Sequence, residues 1–160
     1  MKTRHQKGFS LIELLIVVAI ILIIAAIAIP NLMRAKISAN EAAAVEALKT
    51  LNTAQISYAS TYPNVGYANT LAALGGMSCS PPSPASACLI DTQLASGTKS
   101  GYSFFLSGTT GNPVATYQFR ADPSAPNQTG VRYFCTFADG VPRVGASSLT
   151  TCDNTVAPLQ

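Results

Sequence analysis

The sequence predicts an α+β protein: one long N-terminal α-helix packed against an antiparallel sheet of three or four strands, in a head stapled by disulfides. Three observations carry this. Leu14 to Ile29 is an unbroken apolar run, LLIVVAIILIIAAIAI. Asn31 to Tyr58 is rich in Ala, Leu and Glu, with apolar residues recurring at helical spacing. From Gly101 onward the period shortens to that of strands, in aromatic and β-branched stretches bounded by Gly, Pro and Asn.

The helix comes first. Between Phe9 and Tyr58 only Pro30 opposes a continuous helix, since proline removes one hydrogen bond and crowds the preceding turn; a bend or local unwinding is expected near Ala26 to Pro30. Val45, Leu48, Leu51 and Tyr58 form a stripe for packing a sheet, while Arg34, Lys36, Glu41, Glu46 and Lys49 fall mostly off it. Tyr62-Pro63-Asn64 ends the pattern. The stretch to Gly101 reads as a long connection containing Pro81-Pro82-Ser83-Pro84, with a short helical turn near Thr70 to Leu74. Strands are expected at Tyr102–Leu106, Val114–Arg120 and Val131–Phe137, with Asp139-Gly140 turning the last into a short strand at Val141–Val144. In the second, Ala115, Tyr117 and Phe119 alternate with polar residues, as one buried face requires.

Four cysteines, Cys79, Cys88, Cys135 and Cys152, all follow the apolar run. An even number in a small exported domain favours disulfides, and sequence alone permits three pairings. The pairing Cys79–Cys88 with Cys135–Cys152 closes two short loops and is the expected one. Zinc is disfavoured, because there is no C-x-x-C and the single histidine is His5.

The N-terminus holds the densest information. Lys2, Arg4 and Lys7 precede Gly8, Phe9 follows, and Glu13 is a lone carboxylate near the start of the apolar stretch. Phe9 to Ile29 is 21 residues, about 31 Å as a helix, which matches a bilayer core. A plain anchor leaves Glu13 unexplained, because an intramembrane carboxylate is costly without a partner. A secretory signal peptide, for which Ala26-Ile27-Ala28 supplies a small-x-small pattern, has a shorter apolar core than this one. Cutting after Gly8 would free an amine on Phe9 about one helical turn from Glu13. Basic residues before the run and cysteines after it place the N-terminus in the cytoplasm and the head outside.

Lys7-Gly8-Phe9-Ser10-Leu11-Ile12-Glu13-Leu14-Leu15-Ile16-Val17-Val18, with Pro30 further on, resembles the leader and N-terminal segment of type IV prepilins and type II secretion pseudopilins. The match is close over about the first 35 residues and loose over the following helix. The resemblance implies a leader, 1–8, removed after Gly8 by prepilin peptidase. Phe9 would be N-methylated, and Glu13 would neutralise the amine of a neighbouring subunit during assembly. Residues 9–30 would be a transmembrane and filament-core helix, and 31–160 the amphipathic half of the helix plus a β head, a pilin-like fold. The implied function is that of a structural subunit of a type IV pilus-like filament; a type II secretion pseudopilin, or an adhesive or DNA-binding minor pilin, are the alternatives. Implied partners are other pilin subunits, the peptidase, an inner-membrane assembly platform and the membrane itself. The implied path runs from the inner membrane, head periplasmic, to a periplasmic or extracellular filament.

Other chemistry finds little footing. Without the leader the chain has no histidine and no paired carboxylates, so no enzyme is expected. Asp91, Asp122, Asp139 and Asp153 are isolated and suit turns. Asp139 or Asp153 could lend oxygens to calcium, but that ion usually takes six or more ligands, so no cofactor is expected. Arg120, Arg132 and Arg143 are candidates for a DNA-binding strip, yet scattered arginines on strands are more often solvated or paired, and nucleic acid is not an expected partner. Gly75-Gly76 and Gly108 to Gly111 lack the Lys-Ser/Thr of a phosphate loop.

Overall fold

The computed structural model describes residues 9–76 and 81–159. Two compact units are distinguished, Met1–Ala35 and Lys36–Gln160. Helix α1 spans Leu11–Thr61 and runs through Pro30 without an unwound turn. What the proline removes is the hydrogen bond its missing N–H cannot donate; the turns on either side remain helical.

In the first unit every described residue from Phe9 to Ile23 is exposed, as are most of those that follow. In the second unit, α2 (Leu71–Leu74), α3 (Thr92–Ala95), β1 (Thr98–Lys99), β2 (Tyr102–Thr110), β3 (Thr116–Pro123), β4 (Tyr133–Phe137) and β5 (Arg143–Gly145) follow in order. The strands form one antiparallel meander of five, β1 to β5 in sequence order. The extra strand relative to expectation is β1, two residues long, turned back into β2 by Ser100 and Gly101, both at positive φ. A strand this short leaves no periodicity to read.

The inner face of the sheet is a set of cross-strand rows. Phe104, Ala121, Phe134 and Val144 are successive partners across β2 to β5, and Leu106, Phe119 and Thr136 form a second row. These residues share one core with Ala44, Val45, Leu48, Leu51 and Tyr58 of α1. The helical stripe is present as expected, and so is the alternation of β3 at Tyr117 and Phe119. Ala115, expected on the buried face, is exposed and lies before the strand, because Val114 bridges to Gly66 instead of joining the ladder. The alternation shows as buried Tyr117, Phe119, Ala121 and Pro123.

The connection from Tyr62 to Gly101 has more structure than its composition suggests. Thr70 caps α2 and Asp91 caps α3, each accepting the N–H three residues on. The N–H groups of Ala87, Leu89 and Cys88 donate to Ala73 O, Leu74 O and Gly75 O, satisfying the end of α2. Tyr58 donates its hydroxyl to Pro84 O at 2.7 Å, tying the proline-rich turn to α1. Gly66 sits at φ +80°, where a Cβ would fall 2.2 Å from Val114 O, so only glycine fits there.

Cys135 and Cys152 are bonded, with Cα atoms 5.9 Å apart. Cys79 lies outside the described residues, and the expected Cys79–Cys88 pair with it; among the described cysteines none is free.

Candidate functional site: the start of the long helix

Phe9 and Ser10 precede α1, and Leu11 opens it. The Ser10 N–H donates to Glu13 Oε2 at 2.8 Å, and the Leu14 N–H donates to Ser10 O as the first helical bond. Ser10-Leu11-Ile12-Glu13 thus has the S-x-x-E spacing of a capping box, with Glu13 satisfying an N–H the helix cannot. The carboxylate also lies at the positive end of the helix dipole. The charge of Glu13 points to an amine partner, while its S-x-x-E spacing from Ser10 is the local signal for this cap. Gly8 lies outside the described residues.

From Leu14 to Ile29 the first unit offers only apolar side chains. Phe9, Leu11, Leu14, Leu15, Ile16, Ile20, Ile23, Ile27 and Met33 are all more than half exposed. A soluble monomer does not leave so large a contiguous apolar surface to water. By length and composition α1 can cross a bilayer.

Residues 3–29 match the family model of the prokaryotic N-terminal methylation motif. The segment carries the prokaryotic N-terminal methylation motif. The chain is 63% identical over 38 residues to the type IV wide pilus major component PilA4 of Thermus thermophilus, covering 24% of this chain and 29% of that protein. It is 54% identical over 54 residues to the type IV major pilin protein PilA of Myxococcus xanthus, 34% of this chain and 24% of that one. The matches therefore span only about a quarter of the length of these pilins. No solved structure matches the chain.

In the second unit, the residues sequence reasoning offered for other chemistry are engaged with one another. Arg132 Nε donates to Glu41 Oε2 at 2.8 Å, and Arg143 Nη2 lies 2.7 Å from Asp139 Oδ2. Arg120 Nε lies 3.1 Å from Asp122 Oδ2, near enough to pair but without the alignment of a hydrogen bond. Each guanidinium also stacks on a ring: Arg120 on Phe105, Arg132 on Phe134, Arg143 on Phe137. The supposed basic strip is three paired and stacked cations. Asp153 accepts from the backbone N–H and hydroxyl of Thr155. Among the described residues no cluster of three potential ligands could hold a metal.

Glu41 is the correction. Placed off the packing stripe by its charge, it is in fact buried. Its Oε1 accepts the N–H of Val131 at 2.9 Å and of Arg132 at 3.1 Å, and Asn40 beside it donates to Thr129 O. Burial pushes the Glu41 carboxyl up, but these N–H bonds and the Arg132 guanidinium outweigh it and hold the pKa below its ordinary value. Asn52 donates to Thr136 Oγ1, and Gln55 both donates to Ala68 O and accepts its N–H. The sequence did carry a signal: Glu41, Val45, Leu48, Asn52 and Gln55 are spaced as one helical face.

Proposed function

We propose that this chain is the structural subunit of a type IV pilus-like filament, held in the inner membrane as a precursor. Prepilin peptidase cuts after Gly8 and methylates Phe9, and an assembly platform draws the subunit into the fibre. One observation carries the reading: the methylation motif coincides with an apolar helical surface left open from Phe9 to Met33. Such a surface is stable when covered by lipid, and equally when covered by the same surface of other copies, so one segment serves both storage and assembly.

Cleavage supplies the chemistry of assembly. Hydrolysis of the Gly8–Phe9 bond leaves an ammonium on Phe9. Glu13 commits Oε2 to Ser10, which leaves Oε1 to face the ammonium of a neighbouring subunit. An ammonium and a carboxylate are each costly alone in a dry helix bundle and compensate as a pair, which favours one axial stagger of the helices. The basic leader stays cytoplasmic and the disulfide-bonded head lies outside. A DNA-binding role has less support, since its arginines are already paired, and no catalytic step is assigned.

Purified native protein tests this by N-terminal mass analysis and electron microscopy. N-methylated Phe9 in long fibres is the expected result. A membrane monomer that still begins at Met1 would overturn it.

A further inference from the structure

Seven basic side chains lie among the described residues, and five sit within ion-pair distance of a carboxylate. Lys49 pairs with Glu46, Lys99 with Asp91, and Arg120, Arg132 and Arg143 with Asp122, Glu41 and Asp139. The two that pair with none are Arg34 and Lys36, both exposed. In sequence they directly follow the apolar run, Arg34 next to Met33 and Lys36 two residues on. The next acid along the chain, Glu41, is committed to Arg132 and two backbone N–H groups.

We propose that Arg34 and Lys36 each bind the phosphate of an anionic phospholipid headgroup, just beyond the end of the apolar run. The proposal rests on the membrane-stored precursor argued above. A helix crossing the bilayer core from Phe9 to Ile29 brings Arg34 about 7 Å past the core, the depth of the headgroup phosphates. Long cationic side chains at such a boundary lay their methylenes along the apolar region and extend the charge to the phosphate. The Arg34 guanidinium can take two phosphate oxygens at once, and the Lys36 ammonium acts as a point charge. A soluble polyanion meets the charge but not the adjoining apolar surface; an anionic lipid meets both.

The test reconstitutes the full chain in phosphatidylcholine vesicles carrying trace spin-labelled phosphatidylglycerol or spin-labelled phosphatidylcholine. Electron paramagnetic resonance then reads the relative association of each lipid with the protein. Phosphatidylglycerol should be preferred at least about fivefold at low salt, since each cation at the headgroups favours the anionic lipid by about that factor. Arg34→Gln with Lys36→Gln should lower the ratio severalfold, leaving only the share due to the leader cations. Substituting the leader cations (Lys2→Gln, Arg4→Gln and Lys7→Gln) should leave most of the preference. Equal preference in the Arg34/Lys36 variant and the wild type would overturn the proposal while leaving the membrane reading intact. So would displacement of the lipid by excess inorganic phosphate, which would mark a site for a soluble anion. Failure of the chain to enter vesicles at all would overturn the membrane reading, and the proposal with it.

Discussion

At the scale of single residues, the head depends on the buried carboxylate of Glu41. Glu41 satisfies the backbone N–H groups of Val131 and Arg132 and pairs with the Arg132 guanidinium. Glu41→Ala should destabilise the head by about 2–4 kcal/mol, because two N–H groups and a cation lose their acceptor. Urea unfolding followed by circular dichroism measures this, and Glu41→Gln should cost less. The pH dependence follows from the lowered pKa. A carboxyl held below its unfolded value of 4.5 contributes stability above that value, and loses it as the pH falls through the lower folded value. Acid unfolding of the wild type should therefore show a component below pH 4.5 that Glu41→Gln lacks. Buried Tyr102 donates its hydroxyl to Arg132 O, and burial pushes its pKa well up, so it stays neutral through any such titration.

At the scale of elements, the C-terminal segment is fixed over the outer face of the sheet. On that face Phe105, Arg120, Cys135 and Arg143 are successive cross-strand partners. Cys135 is fully buried there, bonded to Cys152; Leu149 O accepts from Arg120, and the Cys152 N–H donates to Gln118. The bridge closes a segment with a sequence separation of 17. Replacing both cysteines by serine should cost about 3 kcal/mol on the chain-entropy account. Hydrogen exchange should then rise first in residues 146–159. Nearby, the Arg143 guanidinium contacts Asp139 and Asn154 and donates to Val141 O, so a cation already occupies this corner. Arg143→Met should lower Tm, while EDTA or calcium should leave the wild-type Tm unchanged. A rise in Tm with calcium would reassign these oxygens to a metal.

The helical stripe, the β3 alternation and the Asp139-Gly140 turn were legible because each is written in neighbouring residues. The two-residue strand β1 is below the length at which a period exists, whereas the three-residue strand β5 is legible through the Asp139-Gly140 turn that precedes it. The backbone anchoring of Ala87 to Leu89 on α2 leaves no local trace, since its partners are carbonyls, which every residue has. The residues proposed for assembly, Phe9 and Glu13, can be named from sequence because their spacing is local. The role of Glu13 as a cap is equally local, through its spacing from Ser10.

At the scale of the molecule, the two units make different demands on their surroundings. A fragment covering Lys36–Gln160 carries the whole core cluster, and should be soluble and monomeric by gel filtration with near-native circular dichroism. Aggregation of that fragment would mean that the exposed apolar surface is not confined to the first unit. In the full chain, Glu13→Ala should leave leader removal largely intact while strongly reducing sheared fibres. Normal fibre yield from that variant would remove the pairing of Glu13 with the Phe9 ammonium.

The sequence by itself determined the order of the chain: a motif for processing, a helix able to cross a membrane, and a β head beyond it. Those features are set by composition and by periods that span a few residues. Only the tertiary structure decided which polar groups the core would accept. Glu41 is buried because the chain returns some ninety residues later with two N–H groups aimed at it. It equally decided that Arg120, Arg132 and Arg143 would be consumed internally, and that Arg34 and Lys36 would not. Partnerships over such separations depend on how the strands cross the helix, and no local pattern encodes them.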